Sequence, residues 1–111
     1  MDYFSILVVD DEVDFLETLV KRLQKRNIDT VGVTSGEKAL EALGGRRFDV
    51  VILDVKMPVM DGMDTLQEMR RQGFDKPVII ISGHGNIDTA VKATKVGAFD
   101  FIEKPLSIEK V

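Results

Sequence analysis

Three runs of this chain, SILVVD at Ser5–Asp10, DVVILD at Asp49–Asp54 and PVIIIS at Pro77–Ser82, are almost continuously apolar, and each closes on a polar side chain. A strand that is apolar at nearly every position has no face to give to water, so it needs cover on both sides. Between these runs the period changes. Phe15, Leu16, Leu19, Val20 and Leu23 recur at helical spacing within Glu12–Arg26. Thr30–Val33 reads as a short strand, and Ser35 as the N-cap of a helix through Leu43 that Gly44–Gly45 would stop. Met57-Pro58 and Asp61-Gly62 punctuate a loop before a helix at Met63–Arg71, ended by Gly73. A helix is expected from about Asn86 to Val96, ended by Gly97, then a strand at Ala98–Lys104 and a final helix opened by Pro105. Strands alternating with helices predict an α/β domain: an open, parallel, five-stranded sheet with right-handed crossovers and helices on both faces.

The chain's 111 residues suit one such domain, here 1–111. Only Ser107–Val111 remains for the fifth helix, so the last helix is expected to be truncated and the chain to be an N-terminal fragment of something longer. The absence of cysteine excludes disulfides, thiolate catalysis and zinc–thiolate sites. A net charge of −4, with basic residues paired only at Arg46–Arg47 and Arg70–Arg71, argues against direct nucleic-acid binding. The apolar runs are too short to span a bilayer and the N-terminus lacks a signal-peptide n-region, which predicts a cytoplasmic location and no membrane partner.

In open α/β sheets, ligands gather at the carboxyl ends of the strands. Here those ends carry Asp10, Asp11, Asp54, Ser82 and Lys104. Three carboxylates on neighbouring strands repel one another, and a hard cation resolves the conflict. Mg²⁺ prefers oxygen ligands and shares its shell readily with phosphate. A carboxylate is also a competent nucleophile toward phosphorus. Lys104 can add positive charge and Ser82 a hydroxyl, while backbone N–H groups near Lys56 and Gly83 complete a phosphate cradle. Individually these residues also read as caps, turns or surface; their joint placement at four strand ends favours function.

VVDDE at Val8–Glu12, DVVILDVKMPVMDG at Asp49–Gly62 and FIEKP at Phe101–Pro105 closely resemble the receiver domains of bacterial two-component response regulators. That resemblance covers almost the whole chain. It implies a flavodoxin-like (βα)5 three-layer sandwich of strand order 2-1-3-4-5 and a cis peptide before Pro105. Carried over by position, Asp54 resembles the phosphoacceptor and Asp10 and Asp11 the metal-site acids, with Lys56 lending its backbone carbonyl to Mg²⁺. Lys104 resembles the phosphate-pairing lysine; Ser82 and Phe101 resemble the switch pair. The resemblance implies a phosphorylation-dependent switch rather than an enzyme with an outside substrate. A sensor histidine kinase would be its phosphodonor. Phosphorylation would alter the surface of the fourth helix, last strand and fifth helix, which also offers a homodimer face. The stretch Ser82–Pro105 is similar to receivers of nitrogen-regulation type, which implies an ATPase and DNA-binding output for transcriptional control.

Rival readings are weaker. A phosphatase of haloacid-dehalogenase type places an acid two residues beyond the nucleophile, where this chain has Lys56. A degenerate receiver that takes no phosphate conflicts with the full residue set, and a flavin or nucleotide module lacks a glycine-rich loop beyond Gly83-x-Gly85. His84 reads as a solvated loop residue, and the methionines as loop and core filler.

Overall fold

The computed structural model describes residues 4–54, 62–82 and 100–103, the last four and Ser82 by backbone alone. In chain order the elements are β1 (Ser5–Val9), α1 (Val13–Lys25), β2 (Asp29–Val33), α2 (Gly36–Gly45), β3 (Val50–Asp54), α3 (Gly62–Arg71), β4 (Val78–Ser82) and β5 (Asp100–Glu103). The five strands form one sheet in the order β2-β1-β3-β4-β5, with every neighbouring pair parallel. This is the predicted doubly wound order. The expected helix at Asn86–Val96, the cis peptide at Pro105 and the truncated last helix lie outside the described residues.

The apolar strands alternate sides as a doubly covered sheet requires. Leu7, Val9, Val51, Leu53, Val78 and Ile80 point to one face, where they pack with Ala39 of α2 and Leu66 and Met69 of α3. Ile6, Val8, Ile52 and Ile81 point to the other, against Leu16, Leu19 and Leu23 of α1. The helical spacing seen in the sequence therefore faces the sheet.

Helix ends explain where the chain turns. After α1, Asn27 takes a left-handed φ of 63°, its N–H donates to the Gln24 carbonyl at 3.0 Å, and the Ile28 N–H donates to the Leu23 carbonyl at 3.2 Å. This pair of bonds is a Schellman motif with asparagine in the glycine place, and Leu23 and Ile28 pack together beneath it. The same motif closes α3: Gly73, at φ 96°, bonds to Arg70, and Phe74 bonds to Met69. Arg70 secures that turn with two 2.8 Å bonds from its guanidinium to the carbonyls of Phe74 and Lys76.

Helix α2 departs from expectation. Ser35 caps it as predicted, its Oγ accepting the Lys38 N–H at 3.2 Å, but the helix runs through Gly44 and Gly45 to end at Arg46. Glycine stops a helix by adopting a left-handed conformation, and among the described glycines Gly73 alone does so. The helix ends instead because Arg46 is extended, at φ −161° and ψ 165°, with its side chain paired to Asp29 and lying 4.7 Å from the Phe48 ring centroid. A Cβ at Gly45 meets nothing within 4 Å. Gly45→Ala is therefore expected to raise stability by about 0.5–1 kcal/mol, and Gly73→Ala to lower it by about 1 kcal/mol or more. Urea denaturation of the two variants checks both signs.

The amino ends of the strands are tied by a polar network. The Ser5 N–H donates to Asp49 at 2.9 Å, and the Ser5 hydroxyl donates to Asp29 at 3.2 Å. The hydrogen bond from Arg46 holds the Asp29 carboxyl below its ordinary range. Both partners are well exposed, so this pair fixes local geometry more than it stabilises the fold.

Candidate phosphoacceptor site

The opposite, carboxyl edge of the sheet assembles the acidic site. Val9 of β1 is in register with Leu53 of β3, so the residues that follow, Asp10 and Asp54, emerge side by side. Asp10 remains tied to the sheet, its N–H donating to the Val33 carbonyl at 3.1 Å. Asp54 is in register with Ile81, and Ser82, the last residue of β4, is in register with Glu103 at the end of β5. Parallel pairing thus carries Asp10, Asp54 and Ser82 to one edge of three adjacent strands. Lys104 follows Glu103 directly in sequence; it and Lys56 lie outside the described residues. Phe101 is in register with Ile80, placed by backbone within β5.

Asp10 is fully buried and Asp54 is 4% exposed. One carboxylate oxygen each from Asp10, Glu12 and Asp54 lies within 4.8 Å of the others. At an effective dielectric of about 20, two carboxylate charges at that spacing repel by roughly 3 kcal/mol. A cation among them turns that repulsion into attraction. The donor set is all oxygen, which suits a hard divalent ion and disfavours zinc or copper. On chemistry and spacing the residues fit a metal.

Asp11, the second acid expected at the metal site, directly follows Asp10 in the chain. Asp11 is exposed and is not one of the three clustered acids. Asp10 Oδ1 accepts the Glu12 N–H at 2.8 Å, an Asx turn that spans Asp11. Glu12, quoted within VVDDE but given no role from sequence, is exposed and contributes one of the three clustered carboxylate oxygens. Its signal was a carboxylate two residues beyond a strand-end aspartate, the spacing that an Asx turn folds back.

A doubly wound α/β domain with buried acids converging at the carboxyl edge of its sheet belongs to a class built to hold a cation and a phosphate. The family model of the response regulator receiver domain matches residues 6–111. The chain belongs to that family, whose members are phosphorylation-dependent signalling switches. It is 37% identical over 110 residues to the transcriptional regulatory protein ZraR of Escherichia coli O157:H7, an alignment covering 99% of this chain and 25% of that protein. The chain thus spans about a quarter of the length of this relative. Among solved structures, the receiver domain of NtrX from Brucella abortus is 41% identical with a TM-score of 0.88, covering 95% of this chain and 89% of that one. A response regulator protein from Burkholderia pseudomallei, described with a phosphorylated aspartic acid, a calcium ion and citrate, is 26% identical with a TM-score of 0.90. The alignment covers 96% of this chain and 63% of that one.

Proposed function

We propose that residues 1–111 form one receiver unit that accepts a phosphoryl group on Asp54. The observation that supports this most is the buried convergence of Asp54 with Asp10 at the carboxyl edge of the sheet. A carboxylate oxygen of Asp54 attacks phosphorus, forming the P–O bond of an aspartyl phosphate. The bond to the donor breaks, and the electron pair leaves with the imidazole nitrogen of a sensor kinase's phosphohistidine or the oxygen of a small acyl phosphate. Mg²⁺ would be held by Asp10, Asp11, Asp54 and the backbone carbonyl of Lys56, and would supply charge neutralisation for phosphoryl transfer. Lys104 pairs with the phosphoryl oxygens on the other side, and the Ser82 hydroxyl donates to one of them. The same arrangement promotes attack of water on that phosphorus, which breaks the bond to the Asp54 oxygen and releases inorganic phosphate, so the domain promotes its own phosphorylation and dephosphorylation.

The added charge then biases a two-state switch. Ser82 draws toward the phosphate and Phe101 turns inward, changing the face formed by the helix before β5, β5 itself and the helix after it. That face controls an output unit with ATPase and DNA-binding activity, or pairs two receivers. The domain itself grips neither nucleic acid nor membrane. Such a switch acts in the cytoplasm, where its kinase partner presents the phosphohistidine; no helix among the described residues is long and apolar enough to cross a bilayer.

Linkage tests the cation site. Mg²⁺ at about 100 times its Kd is expected to stabilise the fold by about 2.7 kcal/mol. Asp54→Asn is expected to lose most of that increment. Thermal unfolding with and without Mg²⁺ reads the difference, and equal stabilisation of both proteins contradicts the assignment.

A further inference from the structure

Strand β2 ends the sheet: among the described residues it pairs with β1 alone. The Asp29 N–H donates to the Phe4 carbonyl at 3.0 Å, and the Val33 carbonyl accepts the Asp10 N–H at 3.1 Å, so these residues address β1. Alternation along the strand turns the peptide groups of Thr30 and Gly32 the other way, to the open edge. The Thr30 carbonyl is met by the side-chain amide of Gln24 at 3.2 Å. Gly32 has no side chain to shield it and is exposed. Proteins blunt open edges with charge, proline or bulges. Here the one charged residue of β2, Asp29, lies at its start and is paired to Arg46; the four residues after it carry neither charge nor proline.

Beside that edge, α1 and β2 leave a groove of about 460 Å³. A Cβ at Gly32 would stand 2.9 Å from Leu16 Cδ1 and Val20 Cγ2, so the absent side chain is what lets the helix lie this close to the strand. Leu16 and Val20 line the groove, and Val13, 51% exposed, extends its apolar surface. Glu17 and Lys21, one helical turn apart, line it as well. Both are exposed, and neither side chain has an ion pair or hydrogen bond among the described residues.

We infer that this edge docks a second copy of the chain: two β2 strands pair antiparallel about a two-fold axis near Gly32, with the α1 helices side by side and Glu17 of each against Lys21 of the other. Charge favours this occupant over a foreign segment. A two-fold axis sets identical helices antiparallel, so an acid and a base one turn apart are self-complementary. An acidic or a basic peptide would satisfy one of them and repel the other. The strand edge fits the same axis: Gly32 meets its own mate with no side chains at the crossing, and each N–H donates to the other's carbonyl. The surface lies at the opposite end of the sheet from β5 and does not use the carboxylates of Asp10 and Asp54, so pairing requires no phosphoryl group.

Sedimentation velocity of the unphosphorylated chain at rising concentration tests this, beside Glu17→Lys, Lys21→Glu and the variant carrying both. Both positions are exposed, so the fold is retained. Wild type is expected to dimerise. Each single reversal sets like charges together at two symmetry-related contacts and is expected to raise the dimer Kd by about tenfold. The double variant restores opposite charges and is expected to return to within about twofold of wild type. Net charge does not produce that pattern, because Glu17→Lys makes the chain less acidic and Lys21→Glu more so, yet both weaken pairing. Amide hydrogen exchange reads the strand contact: the Gly32 N–H is expected to exchange more slowly as the dimer forms. Wild type that stays monomeric up to about 1 mM, a dimer that both single reversals leave unchanged, or one whose Gly32 N–H exchanges as fast as in the monomer overturns the inference.

Discussion

Phe48→Ala is expected to lower the free energy of unfolding by about 3–5 kcal/mol, a large fraction of the roughly 5–15 kcal/mol typical of a whole domain. Phe48 is 1% exposed and belongs to the core cluster that joins Leu7 and Val9 of β1 to Ala39 of α2 and Met69 of α3. It lies in the short connection between α2 and β3, so its ring both fills the core and fixes the approach of the strand that carries Asp54. Truncation leaves a cavity lined by several elements, which no single side-chain movement can fill. The Arg46 guanidinium also loses the ring face it covers. Phe4, half exposed at the chain's amino end, is the contrast: Phe4→Ala is expected to change stability by no more than about 0.5 kcal/mol. Urea denaturation of the two variants measures both. A loss below about 1 kcal/mol for Phe48→Ala contradicts the packing described.

Asp54→Ala is expected to abolish phosphoryl uptake while leaving the fold in place. The two parts have separate grounds. Uptake needs a carboxylate oxygen as nucleophile, and alanine offers none. The fold survives because alanine fits the volume that aspartate occupied, and because the substitution relieves the repulsion between Asp54 and Asp10. Asp10 and Glu12 are poor substitutes for the nucleophile: Asp10 is committed through Oδ1 to the Glu12 N–H, and Glu12 sits at the rim.

How legible this was in the sequence depended on the range of the forces involved. The open parallel sheet followed from apolar runs at Ser5, Asp49 and Pro77, because a strand buried on both faces needs helices on both sides, whereas its order came from the resemblance of VVDDE, DVVILDVKMPVMDG and FIEKP to receiver domains. The place of Asp54 followed from the same pattern, since residues that end neighbouring parallel strands meet at one edge. Shorter-range features were harder to read. Gly44–Gly45 looked like a helix stop, but glycine signals a stop only through its conformation, and here Arg46 decides the end through Asp29 and Phe48, residues distant in sequence. Asn27 gave no strong signal, although it closes α1 as glycine would. The roles of Asp10 and Asp11 came from the strand end and the resemblance, whereas the hydrogen bond from the Glu12 N–H to Asp10 Oδ1 that shapes their turn is a feature residue type alone does not give.

The most direct test of the central claim is the intact mass of the chain after incubation with acetyl phosphate, with and without Mg²⁺, beside its Asp54→Ala variant. The account predicts a single phosphoryl adduct on the wild type that requires Mg²⁺ and is missing from the variant. An adduct of equal yield on Asp54→Ala, or none on the wild type under any condition, would contradict it.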